Sequence, residues 1–386
     1  MYNILTLNNI SKAGLNYLGN NYKISESTTD PDAILVRSAS MIDFNFPQSL
    51  IAIARAGVGV NNIPTKKCSE HGIVVFNTPS ANANAVKELV VAGLIMSSRR
   101  VSASIKWINN LDLENINFEK TVEQYKSMFS GPEIKGKTLG VIGLGAIGTL
   151  VANAAVNLDM NVLGYDPYIS IDAAWNLSRH VIHVAEFDKV LSQSDYISLH
   201  VPLTDVTKNM INEKTISQMK RGVHLLNYSR ADIVDTSAII NAVSSGYVKT
   251  YATDFPKKEF LNQSNITVTP HLGASTPESE NNCAVMAARQ VKDFIENGNI
   301  INSVNLPNIS MERDGDQRIC IFHRNVANVN RNITGILADH HINIVNMQSR
   351  AKNEFAYAIM DIEGNLSPEI LGNISSLDNV IRVRVI

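Results

Sequence analysis

Cysteine is scarce in this chain. There are three in 386 residues, Cys68, Cys283 and Cys320. None forms a CxxC pair or falls at metal-ligand spacing. A disulfide framework is therefore excluded, no metal site is expected, and a reducing compartment, the cytoplasm, is implied. Net charge is also nearly absent: 34 Lys and Arg stand against 36 Asp and Glu, a formal charge of −2. Such a balance gives no global attraction to nucleic acid or to an anionic membrane surface. A small anionic substrate held by local arginines is still compatible with it. No run of 18 uninterrupted apolar residues occurs, so no membrane-spanning helix is expected. The opening "MYNILTLNNISKAG" lacks the basic and apolar regions of a secretion signal. Internal repeats and low-complexity tracts are missing too.

What is present is an ordinary globular composition, 45% hydrophobic and 18% charged. The length suits two or three domains. Short apolar runs at 3–7, 33–38, 51–57 and 73–77 predict strands, and 82–100 predicts a long helix. Alternation restarts at Thr138, with strands predicted at 138–143, 160–166, 196–200, 224–229, 250–255 and 265–270. Near-continuous apolar strands imply parallel sheets covered on both faces. Thr276-Pro277 signals the start of a helix that ends at Gly298. After a linker, the remainder reads βαββαβ, a ferredoxin-like order. In its last strand Ile381, Val383 and Val385 alternate with Arg382 and Arg384, which predicts arginines facing outward.

"VIGLGAIG" places Gly143, Gly145 and Gly148 in GxGxxG spacing. The motif alone is weak. Here it follows a strand, opens a helix, and precedes a second strand ending in Asp166, 18 residues past Gly148. That context marks a dinucleotide site. Gly143 allows the tight turn, Gly145 lets the backbone approach a pyrophosphate, and Gly148 lets helix and strand pack closely. A carboxylate at Asp166 would accept ribose hydroxyls and repel a 2′-phosphate, which favours NAD over NADP.

Three more groups stand at or just after strand ends: Arg230 after "LLNYS", Glu259 five residues past Asp254, and His271 after "NITVT". Each has a bland reading as a surface arginine, a solvated acid or a turn histidine. In an open α/β sheet, however, ligands bind beyond the carboxyl ends of the strands. An arginine fork there can hold a carboxylate. An imidazole can move a proton, and a carboxylate beside it can orient it and raise its pKa. Together they fit hydride transfer to or from a small hydroxy acid.

"TLGVIGLGAIG", "GYDPY", "HVPLT", "LLNYSRADIVD" and "TPHLGAST" resemble, in order, the signature segments of the D-isomer-specific 2-hydroxyacid dehydrogenases. So do "ARAGVGVNNI", "FNTPSANANAVKELV" and "ENGNIINSVNLP". The resemblance implies Arg230, Glu259 and His271 as the catalytic set. It implies cofactor contacts at Ala146, Ile147, Asp166 and Asp254 and at the backbone of Tyr228 and Ser229. It further implies a Rossmann-type NAD-binding domain (84–275) inserted in a flavodoxin-like substrate domain (1–83 and 276–308). A linker (309–317) and a C-terminal βαββαβ unit (318–386) resembling an ACT domain would follow.

By the same resemblance Arg37, Ser38 and Asn82 would contact a substrate phosphate, and amides around Gly57 and Gly59 its carboxylate end. His323, Asn325 and Asn343 match positions where ACT domains bind amino acids between subunits, so L-serine or another amino acid is the expected effector. Where relatives carry Pro-Gly this chain has Ala327 and Asn328. Asparagine is the best non-glycine for a left-handed backbone, which would preserve the loop. The expected assembly is a homodimer or homotetramer, and the expected substrate a phosphorylated hydroxy acid. Two alternatives stay open: a related dehydrogenase with a regulatory tail, and a non-catalytic NADH sensor.

Overall fold

The computed structural model describes residues 1–112, 114 and 117–386. The chain divides into two compact units, residues 1–81 with 277–386, and residues 82–276. The first unit opens with five strands, β1 (Tyr2–Leu7), β2 (Tyr22–Ser25), β3 (Ala33–Val36), β4 (Ala52–Arg55) and β5 (Val74–Phe76). They form a parallel sheet in the order β2-β1-β3-β4-β5, the flavodoxin arrangement. Every residue of β3 and β5 is buried, as parallel strands covered on both faces should be.

The second unit holds β6 (Thr138–Ile142), β7 (Asn161–Tyr165), β8 (Val181–His183), β9 (Tyr196–Leu199), β10 (Val223–Asn227), β11 (Val248–Thr253) and β12 (Ile266–Val268). Their order is β12-β11-β10-β9-β6-β7-β8, all parallel. This is the doubly wound dinucleotide order with one strand added. The direction of winding reverses between β6 and β9, which fixes where a nucleotide would lie. Residues 101–136, too polar to place by periodicity, contain helices at Val101–Asn109 and Phe118–Tyr125.

The C-terminal segment forms β13 (Gln317–Arg324), a helix (Val329–Asp339), β14 (Ile344–Lys352), β15 (Phe355–Ile362), a helix (Pro368–Ser375) and β16 (Val380–Val385). The antiparallel order β14-β15-β13-β16 is ferredoxin-like. Asn328 takes the left-handed backbone, φ 69°, where the loop enters the first of these helices.

The segment does not stand apart behind a linker. One sheet face packs Ile319, Ile321, Ala358 and Met360 against its own two helices. The other face carries Cys320, Phe322, Phe355, Tyr357 and Ile359 into the same core as the helix Pro277–Asn297 and strands β1 and β3–β5. β15 is consequently buried at all eight positions, which explains why "FAYAIMDI" shows no polar alternation.

Arg382 and Arg384 correct the outward assignment. Arg382 donates to the carbonyls of Leu50 (2.8 Å) and His71 (3.1 Å). Arg384 donates to those of Phe294 (3.3 Å) and Ile295 (2.9 Å). A charged residue on a strand that alternates with apolar neighbours predicts solvent only if nothing covers that face; here carbonyls at loop and helix ends cover it.

Candidate active site

The glycine loop lies between β6 and the helix Ala146–Asn157. Gly143 has φ +91°, and a Cβ there would sit 2.7 Å from the His200 backbone at the end of β9. A Cβ on Gly148 would lie on the Gly143 carbonyl oxygen. Around Gly145, by contrast, an added Cβ would meet nothing within 4 Å. The helix starts at Gly145 without a side-chain cap. Its first amides are left facing an open cradle, the arrangement that binds a phosphate. Ala146 is exposed and Ile147 half-buried against the unit's core. Asp166 follows β7, its Oδ2 accepting from the Leu144 amide (2.8 Å) and its Oδ1 from the Tyr168 amide (2.8 Å). Each oxygen retains a lone pair for a hydroxyl donor.

At the other end of the sheet edge, Asn227 closes β10 and is fully buried. Its amide nitrogen donates to the Arg230 carbonyl (2.9 Å), and its oxygen accepts from the Ser229 amide (3.2 Å). That bracket presents the Arg230 side chain to solvent. Tyr228 points the opposite way, its ring lying against Gly93.

Asp254 follows β11 directly and is 1% exposed. Its Oδ2 accepts from the Gly273 amide at 3.0 Å, while its Oδ1 is buried with no partner among the described residues. Burial pushes its pKa up, opposed by the Gly273 amide and the nearby His271. A buried carboxylate oxygen without a donor is costly. A cofactor carboxamide would supply that donor.

His271 is exposed in the loop after β12, its ring 4.9 Å from that of Phe255. Glu259 is exposed on a short turn whose neighbour Phe260 anchors it in the core. Among the described residues no hydrogen bond or ion pair joins Glu259 to His271. The carboxylate that acts electrostatically on the imidazole here is Asp254.

The first unit carries the remaining candidates. Arg37 pairs with Glu280 at 2.8 Å. The Ser38 amide donates to Asn8 Oδ1 at 3.0 Å. Arg55, which the sequence reading passed over, links the Arg37 carbonyl (2.9 Å) to that of Gly59. It stands at the end of β4 as Arg37 stands just past β3, so the strand-end rule that singled out Arg230 would have found it. Asn82, in the other unit, precedes the helix Ala83–Arg99, and its Oδ1 is buried without a partner among the described residues.

Within one chain, the three residues expected to bind an effector do not meet. His323 pairs with Ala356 at one end of β15, while Asn343 accepts from the Glu363 amide past the other end. Seven residues of strand separate these levels, roughly 23 Å. Asn325 stays near His323, donating to the Asn353 carbonyl at 3.0 Å, and Asn343 donates to Glu363 at 2.9 Å. β15 lies between β13 and β14, so the first two strands of the motif are not neighbours.

Two further histidines in the second unit are held in the neutral form by burial. Burial lowers His200 to about 3 and His224 to about 4, the latter helped by Lys249. His224 stacks on Tyr196 at 4.5 Å and contacts Thr250 Oγ1 at 2.8 Å. Because its folded pKa lies below the unfolded value, the unfolded chain takes the proton first as pH falls. Stability is therefore full above the unfolded pKa and declines toward pH 4. We expect His224 to account for about 2 kcal/mol of destabilisation between pH 7.5 and 5. His224→Phe, which keeps the stack, should shrink the pH dependence of urea unfolding by that amount; an unchanged dependence would rule His224 out as its source.

Residues 91–273 match the family model described as "D-isomer specific 2-hydroxyacid dehydrogenase, NAD binding domain". D-3-phosphoglycerate dehydrogenase 2 of Saccharomyces cerevisiae is 31% identical over 375 residues, 90% of this chain and 76% of that one. The chain belongs to the D-isomer-specific 2-hydroxyacid dehydrogenases. Its cofactor is NAD. The chloroplastic D-3-phosphoglycerate dehydrogenase 2 of Arabidopsis thaliana is 33% identical over 331 residues, covering 80% of this chain. The chain spans about half the length of that relative, 51%. An NAD+-bound 3-phosphoglycerate dehydrogenase from Entamoeba histolytica is 26% identical at TM-score 0.60, covering 79% of this chain and 98% of that structure. Among the described residues no helix is long and apolar enough to cross a membrane, and no cluster of ligands suits a metal.

Proposed function

We propose that the protein oxidises 3-phospho-D-glycerate to 3-phosphohydroxypyruvate with NAD, the entry to phosphorylated serine synthesis. The observation that carries the chemistry is the placement of Arg230 and His271 just past the carboxyl ends of β10 and β12, beside the partnerless Oδ1 of Asp254. NAD, when bound, supplies the hydride acceptor. The Gly145–Gly148 amides hold its pyrophosphate and Asp166 its ribose hydroxyls, and Asp254 takes a hydrogen bond from its carboxamide. Arg230 clamps the substrate carboxylate with a planar fork. His271 takes the hydroxyl proton as the carbon gives up hydride, and returns it in the reverse direction. Glu259 serves by orienting the imidazole, a contact that forms in the substrate complex.

The phosphate preference rests on Arg37, with Ser38 and Asn82 in support and the Gly57 and Gly59 amides at the carboxylate end. The relatives named for D-3-phosphoglycerate support this choice over other 2-hydroxy acids. The C-terminal sheet is ACT-like in topology. An amino acid such as L-serine would bind it only between two copies, since His323 and Asn343 lie at opposite ends of one sheet. A dimer or tetramer goes with that reading.

NADH oxidation with phosphohydroxypyruvate, hydroxypyruvate, pyruvate and glyoxylate tests it. The phosphorylated acid should give the highest kcat/KM. Arg37→Ala should cut that value about 10-fold or more while sparing hydroxypyruvate, because a charge-assisted pair to phosphate is lost. Equal rates on all four acids would defeat the substrate assignment. No turnover with any would favour a sensing role.

A further inference from the structure

The first unit contains a polar cleft of about 550 Å³ that the reaction does not use. Asn77, Asn302, Asn308, Arg350 and Lys352 line it, and no carboxylate does. Arg350 and Lys352 stand two apart on β14, so they project from one face, roughly 7 Å from each other along the strand. Two cations on an exposed edge strand are ordinarily a solvated surface. These two overlook a concave volume instead, and their surroundings are unusual in three respects.

Lys352 is anchored by the carbonyls of Ser303 (3.2 Å) and Val304 (3.0 Å), which leaves one of its three donors unspent. Arg350 is exposed, and its guanidinium has no hydrogen bond, ion pair or ring contact among the described residues. Asn302 is held in the left-handed backbone, φ 62°, with its amide on Asn308 Oδ1 at 2.9 Å. The NH₂ groups of Asn302 and Asn308 have no partner among the described residues. The cleft thus offers two positive charges and two amide donors with nothing to neutralise them.

We propose that this cleft binds a small dianion, a dicarboxylate or a phosphate compound, as an effector of the enzyme. Two charges about 7 Å apart select a ligand with two acidic groups or one doubly charged group between them. The cleft reaches the loop Gly57–Gly59 through Asn77. The Asn77 amide donates to the Asn302 carbonyl (3.3 Å), and its carboxamide donates to the Val58 carbonyl (2.7 Å). The next amide, that of Thr78, donates to the Gly57 carbonyl (3.1 Å). An anion that draws Asn302 toward Arg350 therefore pulls on the residue that holds this loop. The effect on catalysis, unlike binding itself, rests on the proposed role of the loop at the substrate carboxylate.

The test uses full-length wild type and Arg350→Glu, with Arg350→Gln as the milder variant and circular dichroism to verify folding. Calorimetry with succinate and, separately, inorganic phosphate distinguishes the two ligand types. At least one should bind wild type, and bind Arg350→Glu at least about 10-fold more weakly. The bound anion should also shift KM for the 2-oxo acid about 5-fold or more in wild type. Arg350→Glu should lose the shift while keeping its basal kcat and KM. No heat with either probe overturns the site, as does undiminished binding in folded Arg350→Glu and Arg350→Gln. Binding without any change in KM overturns the effector role. The substrate panel run without added anion tests the proposed reaction separately.

Discussion

His271→Ala should bind NADH with unchanged affinity and turn over about 10²–10⁴ times more slowly. The expectation follows from where the imidazole stands. It is exposed beyond β12 and makes no hydrogen bond among the described residues, so its removal breaks no hydrogen bond of the fold. Among the described residues the one ring it meets is that of Phe255, 4.9 Å away. The glycine loop proposed to hold the cofactor lies between β6 and the helix Ala146–Asn157, and β6 is separated from β12 by three strands in the sheet order. NADH fluorescence titration and steady-state kinetics on the same preparation separate binding from turnover. A kcat near wild type would remove His271 from the reaction. Loss of NADH binding alongside activity would assign it a place in the cofactor site instead.

Arg318→Ala should cost about 3–5 kcal/mol, because it leaves an ion of the opposite sign buried and alone. Arg318 and Asp361 are both 0% exposed. All five guanidinium donors are used. Two reach Asp361 (2.6 and 2.7 Å), and three reach the carbonyls of Asn297 (2.8 Å), Met311 (2.9 Å) and Glu312 (2.8 Å). Asp361 Oδ2 also accepts from the Asp314 amide at 2.9 Å. Removing Arg318 strands a carboxylate and three carbonyls at once. Lysine cannot restore the planar fork. Replacing Arg318 and Asp361 together by Met and Leu should recover much of the loss on the carboxylate, though not the three carbonyl contacts. Urea denaturation of the single and double variants measures both. A single variant as stable as wild type would mean that water reaches Asp361 after all.

Much of this was legible beforehand because it depends on short-range rules. The GxGxxG segment assigns each glycine a different local job, and Gly143, Gly145 and Gly148 show the matching turn, open cradle and close approach. Strand ends were readable wherever an apolar run stopped at a charged residue or a proline. Two strands escaped notice, Tyr22–Ser25 and Val181–His183, because both are short edge strands with mixed polarity. Asn328 was readable from its own propensity. The missing Glu259–His271 hydrogen bond was not, since sequence separation along a loop says nothing of where a side chain turns. The separation of His323 from Asn343 follows from β15 inserting between β13 and β14, which is a property of strand order and not of any residue. The fate of Arg382 and Arg384 depends on what covers the sheet, and carbonyls at helix and loop ends leave no imprint on composition.

The shared core behind β13 and β15 bears on how such a chain can change over evolutionary time. A segment that keeps its own core can be acquired, lost or exchanged as a cassette, with only a linker to adjust. This one cannot. Phe322, Tyr357 and Ile359 are as much a part of the helix Pro277–Asn297 as of their own sheet. Any substitution on that helix must be tolerated by the tail, and any on the tail by the helix. The two must drift as one sequence, so the tail is left free to vary only at its rim, in residues such as Arg350 that answer to neither side.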